Sequence, residues 1–334
     1  MQMRKILIGF CGGAMTWLAG CGCSPHSPTE VYYLVATNVK IPYWQSANAG
    51  LMSAAQQVGV KAEMVGPDSF DPKGEHDAFQ RVLAEKIKPS GIMVSVADPA
   101  VMQPDIDGAI AQGIPVITVD SDAPTSKRLT FIGTDNYKAG TMGADLAVKQ
   151  LQGKGNVVIY TMPEQSNLKD RLRGYHDVFE SHPGIKIVET IDIKGDPRIA
   201  FDRTQDMVDK KTISKIDGFI CLEAIACPEV ADVLDRNNVT GKVIVAMDTD
   251  QRTLNWIKKD RIAGTIAQKP FTMGFVALKD LDSLHHYPPH PLDKAWAMDP
   301  QAPVATNIST GEMLVDKSNV DAFMSEMAPK SQGQ

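Results

Sequence analysis

Apolar runs in this chain repeatedly end in side chains that can hold a small polar ligand. The run 31–37 (VYYLVAT) leads into Asn38 and then the adjacent rings Tyr43 and Trp44. The run 91–95 ends at Ser95, and 115–119 ends in Asp120, followed by Ser121 and Asp122. Farther on, 217–221 leads to Glu223, 243–247 to Asp248 and 263–267 to Gln268. A carboxylate accepts a pair of hydrogen bonds from adjacent hydroxyls, and its charge strengthens them. A glutamine amide both donates and accepts, as a hydroxyl does. An aromatic face matches the apolar C–H face of a sugar ring. The set suits a monosaccharide or a related polyol. It does not suit a phosphate ester, because the lining is acidic and no glycine-rich phosphate loop follows the first strand. A carboxylate after a strand also serves as the N-cap of the next helix. That is the reading for Asp98; within MDTD (247–250), Asp248 and Asp250 both look like caps, with Asp250 the better one. Taken alone, Tyr43 and Trp44 fit a core as well as a cleft.

These side chains matter only if the elements bring them together. Strands are expected at 31–37, 61–66, 91–95, 115–119, 129–133, 156–160, 185–192, 217–221, 243–247, 263–267 and 312–315. Helices are expected at 44–58, 74–88, 101–113, 137–152, 167–182, 198–211, 225–237, 251–260, 272–284 and 317–327. Runs such as IPVITVD, VIVAMD and GNVVIYT are apolar throughout rather than alternating, as in parallel strands covered on both faces. The alternation of strands and helices indicates doubly wound α/β units, and there are too many pairs for one ordinary sheet. Two parallel-sheet lobes joined by a multi-crossing hinge are expected. The first would comprise 31–134 plus 269–298, the second 135–268 plus 299–330. Ligands in such sheets bind beyond the carboxyl ends of the strands, which is where the residues named above fall.

The chain has 334 residues, 43% hydrophobic and 22% charged, with a formal net charge of −6 and no block of like charge. A nucleic-acid partner is not expected, since phosphate binding needs clustered Lys and Arg. Residues 1–20 read as a secretory signal: Arg4 and Lys5, then the apolar ILIGFCGGAMTWLAG, too short and glycine-broken to span comfortably. The segment ends in LAGC, which resembles the lipobox of bacterial lipoproteins. The resemblance implies lipidation of Cys21 as the first residue of the mature chain, hence a membrane anchor at the periplasmic face or cell surface. Residues 21–30 then form a small, polar, Pro-containing tether. Export brings Cys221 and Cys227 into an oxidising compartment, where a bridge between them and a pair of small buried thiols are both open readings. HHYPPH (285–290) is read as a surface loop rather than a metal site.

Several longer motifs carry a family likeness. KIPYWQSANAGLMSAAQQVGV, IPVITVDSDAP, FIGTDNYKAGTMGADLA, LKDRLRGYHDVF, VIVAMDTD, GTIAQKPFTMG and STGEMLVDKSNVDAF occur in that order between about 31 and 327. Together they resemble periplasmic sugar-binding proteins of the ribose/galactose type, which share their fold with the ligand domains of LacI-type repressors. The resemblance implies that Tyr43 and Trp44 stack on the sugar and that Asp120, Asp248 and Gln268 bind its hydroxyls. It adds Arg171, from the R-x-x-G-aromatic motif, as a ligand contact and matches Glu223 to an Asn-Asp-type turn. Ile41 stands where the family has Asn and Ser121 where ribose binders have Arg. KGDPRIAF offers Asp196 where ribose binders present a third aromatic ring. The implied protein is a monomeric lipoprotein receptor without a cofactor, closing around a monosaccharide and delivering it to an ABC permease. A sensory receptor of the same fold and a binder of a non-sugar ligand, such as a furanose signal molecule, are the alternatives. An enzyme is disfavoured by the lack of G-x-G-x-x-G and G-x-S-x-G, and a LacI-type regulator by a signal where a DNA-binding module would stand.

Overall fold

The computed structural model describes residues 26–327. The Cys21 lipidation site therefore lies outside the described residues, as do the signal segment and the first part of the tether.

The apolar runs form two six-stranded sheets. The first has the spatial order β2-β1-β3-β4-β5-β11, made from β1 (Val31–Val35), β2 (Lys61–Val65), β3 (Gly91–Val94), β4 (Val116–Val119), β5 (Phe131–Gly133) and β11 (Asn307–Ser309). The second has the order β7-β6-β8-β9-β10-β12, made from β6 (Gly155–Thr161), β7 (Ile185–Asp192), β8 (Gly218–Cys221), β9 (Val243–Met247), β10 (Gly264–Ala267) and β12 (Met313–Asp316). All pairings are parallel except β10 with β12. The central strands β3, β4, β8 and β10 are buried along their whole length, as continuous apolar runs require of parallel strands covered on both faces. Flanking strands β2 and β7 instead carry exposed positions between more covered ones.

Ten α-helices cover these sheets among the described residues: α1 (Pro42–Val58), α2 (Pro72–Leu83), α3 (Pro99–Ala111), α4 (Asn136–Leu151), α5 (Ser166–Glu180), α6 (Pro197–Asp209), α7 (Ala226–Arg236), α8 (Gln251–Lys258), α9 (Pro270–His286) and α10 (Val320–Met327). Asp98 caps α3 by accepting from Ala100 N at 2.8 Å, and Asp250 caps α8 by accepting from Arg252 N at 2.8 Å. Asp98 and the better candidate of MDTD, Asp250, therefore cap, which leaves Asp248 for another role.

Three segments cross between the lobes: Thr134–Asp135, Gln268–Lys269 and Thr310–Glu312. The first two are bonded to each other, and the third is bonded to the end of β5. The Thr134 hydroxyl donates to Gln268 Oε1 at 2.7 Å, and Thr310 N donates to the Gly133 carbonyl at 2.8 Å.

Two expectations are corrected. Strand β11 lies in the first sheet, paired with β5, although 299–330 reads from sequence as part of the second lobe. The strand has three residues with polar ends, Asn307 and Ser309, and so carries no apolar run to announce it. The end of the tether is not free either. Glu30 is buried, and His26 contacts Asp282 on α9, because the carboxylates and imidazoles there satisfy one another.

Each lobe has one helix pair in backbone contact. A Cβ on Gly50 of α1 would stand 1.9 Å from the Phe271 carbonyl oxygen, and one on Gly274 of α9 would stand 2.1 Å from that of Ala47. In the second lobe, a Cβ on Gly140 of α4 would stand 2.2 Å from the Arg171 carbonyl oxygen of α5. No side-chain rotation relieves a clash with backbone. Gly50→Ala and Gly140→Ala are each expected to lower the free energy of unfolding by about 1–3 kcal/mol. Urea titration measures this, and a loss within error for both would refute the contact.

Candidate functional site

The carboxyl ends of both sheets face one cavity of about 560 Å³, counting its mouth. From the first lobe it is lined by Asn38, Tyr43, Trp44, Phe70 and Asp120; from the second, by Asn167, Arg171, Glu223 and Asp248; and from the hinge, by Gln268. Of the residues named first by the sequence, Asn38, Tyr43, Trp44, Asp120, Glu223, Asp248 and Gln268 therefore converge on one space, while Ser95, Ser121 and Asp122 do not line it.

Asp120 and Asp248 arrive there by the same backbone device. Each follows directly on a central strand, β4 or β9, in a left-handed conformation, with φ of 62° and 68°. Each is anchored by its own N–H to the next strand, Asp120 to Ile132 O and Asp248 to Ile266 O. Aspartate tolerates this region better than most residues. Left-handed non-glycine residues cost energy and concentrate at binding sites.

The donors and acceptors are interlocked. Tyr43 donates its hydroxyl to Asp120 Oδ1 at 2.6 Å, and its ring meets Trp44 edge-on at 5.2 Å. Gln268 Nε2 donates to Asp248 Oδ1 at 2.8 Å. Glu223 accepts from the backbone N–H groups of Ile225 and Ala226, at 2.6 and 3.2 Å, at the start of α7. Arg171 is only 2% exposed. Its Nε donates to Asn136 Oδ1 at 2.9 Å and its Nη1 to the Leu222 carbonyl at 2.7 Å. Its Nη2 is buried with no hydrogen-bond partner among the described residues. A buried unmatched donor is costly, and this one belongs to a side chain that lines the cavity.

Burial raises every acid here. It pushes Glu223 up to about 7; the capping N–H groups and Arg171 pull against that rise, while Asp248 adds to it. Burial pushes Asp248 up to about 6 against the pull of Arg171 and Gln268, with Asp120 adding to the rise. Asp120 is raised by burial despite Arg171 and its hydrogen bonds, and the Tyr43 hydroxyl is raised well above its usual range by burial and by Asp120. Arg171 is the cation that makes three carboxylates tolerable in one dry space.

The lobes touch across the mouth. Ser166, at the start of α5, donates its hydroxyl to the Asp122 carbonyl at 2.8 Å and accepts from Asp122 N at 3.0 Å. Phe70 packs on Gly195, where a Cβ would stand 2.3 Å from the Phe70 Cβ.

Among known families, the description "Periplasmic binding protein domain" fits residues 32–285. The chain belongs to this family. The ribose import binding protein RbsB of Bacillus subtilis is 24% identical over 260 residues, covering 76% of this chain and 81% of that protein. Among solved structures, the arabinose-binding protein AraP of Geobacillus stearothermophilus is 29% identical, with a TM-score of 0.72 over 88% of this chain and 99% of that one. An ABC-transporter solute-binding protein of Burkholderia graminis, solved with D-arabinose, is 26% identical, with a TM-score of 0.78 over 91% and 98%.

The other expected residues of this periplasmic binding protein take supporting places. Asn38 lines the cavity, its Oδ1 also accepting from Lys40 N at 3.0 Å. Ser95 sits behind Asp120, its hydroxyl 3.4 Å from Oδ2. Ser121 faces Ser166 across the lobes at 3.3 Å. Asp196 does not line the cavity: its carboxylate turns back to cap α6 and pair with Arg198. Phe70 and Asn167 went unread. Asn167 lies four residues before Arg171 on α5, so helical spacing puts both on one face. Phe70 sits in a polar loop after β2 and carries no such signal.

Cys221, at the end of β8, is bridged to Cys227 in α7. The bridge encloses the turn that presents Glu223. Of the two open readings for these cysteines, the disulfide is the one observed.

The raised Asp248 sets a pH dependence. Its ordinary value is 3.8 and its folded value about 6. Well below 3.8 it is protonated whether the chain is folded or unfolded and costs nothing. Between about pH 4 and 6 the unfolded chain ionises while the folded one keeps its proton, so stability falls across that window and levels off above it, where the folded state carries the buried charge. Asp248→Asn keeps the acceptor for Gln268 and never ionises. In the absence of ligand it is expected to be more stable than the parent by about 3 kcal/mol at pH 8, with the difference vanishing below about pH 3. Denaturant unfolding across that range tests this; a variant less stable at pH 8 would contradict it.

Proposed function

We propose that the protein is the extracytoplasmic receptor of an ABC importer and captures one monosaccharide between its lobes. The observation that carries this reading is the shared cavity, where buried charged groups from both lobes surround a space with aromatic walls. The buried Arg171 Nη2 donates to a ring or hydroxyl oxygen. Asp120, Asp248 and Gln268 take paired hydroxyls, and the Tyr43 and Trp44 rings cover an apolar sugar face. A charged phosphate ester would meet three carboxylates against one guanidinium and is disfavoured. Relatives named for ribose, arabinose, D-apiose, xylitol and glucose-galactose support a monosaccharide or related polyol as the ligand class, with five-carbon compounds the most frequent among them. They are named as import and binding proteins, in keeping with binding rather than catalysis.

A ligand that touches both lobes stabilises only the closed form, because only that form makes both sets of contacts. The closed receptor then docks on its permease and yields the sugar. No described helix is long and apolar enough to cross a membrane, and in this reading acyl chains on Cys21 hold the receptor at the surface.

A tryptophan-fluorescence titration against pentoses, hexoses and their polyols tests the reading, with Trp44 as the reporter in the cavity wall. Saturable binding of at least one five-carbon compound is expected at micromolar Kd or below. Arg171→Met is expected to weaken it by at least about 100-fold, since a charge-assisted hydrogen bond in a dry site is lost. A folded protein that binds nothing on the panel sinks the proposal.

A further inference from the structure

The four side chains His26, Glu30, Asp282 and His286 come together at the pole of the first lobe opposite the cleft. Strand β1 begins directly after Glu30, so Glu30 lies at the amino edge of the sheet. Helix α9 starts beside the hinge and runs back to end at His286. One potential ligand atom from each of the four lies within 4.8 Å of the others. His26 Nε2 stands 3.0 Å from Asp282 Oδ1, while His286 Nε2 stands 3.3 Å from Glu30 Oε2 and 3.6 Å from Asp282 Oδ1.

These separations have a specific meaning. Ligand atoms about 2.1 Å from a tetrahedral centre stand about 3.4 Å apart. Three of the edges among the four atoms already have roughly that length. Glu30 is also oriented from behind, as metal ligands usually are: Ser27 N donates to Glu30 Oε1 at 2.6 Å, which leaves Oε2 toward His286. The Tyr32 hydroxyl donates at 3.0 Å to Asp282 Oδ1, the oxygen that faces both imidazoles, and fixes its position. The His26 and His286 rings meet edge-on at 4.9 Å. Glu30 is buried and the two imidazoles are partly open, so an ion has a route in. Two imidazoles and two carboxylates suit zinc and disfavour calcium or magnesium, which take oxygen ligands.

We propose that these four residues bind one Zn²⁺ ion, which clips the segment 26–30 onto the end of α9. The sequence separates the ligands by some 250 positions, and the histidine pair of HHYPPH was read there as part of a surface loop. The structure instead places His285 and His286 within the last turn of α9, facing the segment that leads into β1. The ion would hold the segment 26–30 against the body, on the side away from the sugar.

Calorimetric titration of the chelator-stripped protein with ZnCl₂ is the test. One equivalent is expected to bind, with X-ray absorption showing four N/O ligands near 2.0–2.1 Å. His286→Gln and Glu30→Gln are expected to weaken binding by at least about 100-fold and 10-fold respectively. His76→Gln, which alters a separate histidine–carboxylate pair with Asp105, is expected to change nothing. Sugar affinity should be the same with and without zinc, so failure here is distinguishable from failure of the receptor reading. No saturable equivalent, or equal affinity in the parent and both cluster variants, would overturn the site and leave two plain histidine–carboxylate pairs.

Discussion

A dry cavity holding Asp120, Glu223 and Asp248 would be self-defeating without a cation among them. Arg171 supplies it, and the surroundings make clear that its place is built. Asn136 and the Leu222 carbonyl hold two of its nitrogens, while Gly140 lets α4 lie directly against the backbone of α5 at Arg171. The guanidinium is thus aimed with its last nitrogen unspent. Its attraction does not fully offset the cost of burying the acids, since Glu223 and Asp248 still titrate near neutrality. The cavity is a strained assembly, paid for by the packed sheets behind it, and its polar groups are arranged for a neutral molecule rich in hydroxyls.

Closure is divided between hinge and mouth. Three adjacent crossings, two bonded to each other and the third to the end of β5, restrict the lobes to a hinge-like relative motion. At the mouth, the protein's own contribution is modest: the Ser166–Asp122 pair, a long contact from Asn167 to Asp120 at 3.4 Å, and Phe70 over Gly195. Weak latches are what a capture device needs. Strong ones would hold an empty cavity shut, and a ligand shifts an equilibrium only by its differential affinity for the two states.

The fold was readable because parallel strands covered on both faces must be apolar throughout, which marked the central strands, while flanking strands such as β2 and β7 showed as short runs between helices. β11 showed in neither way, since a three-residue strand at the sheet edge needs no such run. The site was readable to the extent that it sits at strand ends. Asp120, Asp248 and Gln268 follow apolar runs directly, and Asp250 read as a better cap than Asp248. Arg171 came only through family likeness, because arginine on a helix is ordinarily solvated. Phe70 came not at all, since a loop conformation sets its place. The cluster at the far pole was invisible for another reason: its members are brought together by the return of α9 to the start of β1, a tertiary event with no local pattern.

The matched left-handed aspartates carry a consequence for how this cavity can vary. At Asp120 and Asp248 the main chain itself is bent into a shape that asparagine and glycine also accept but branched side chains resist. Chemistry and backbone are therefore coupled at both positions. A lineage exploring new sugars would be channelled toward Asp, Asn or Gly there, while the helix-borne and loop-borne positions, Asn167 and Phe70 among them, remain open to a far wider alphabet.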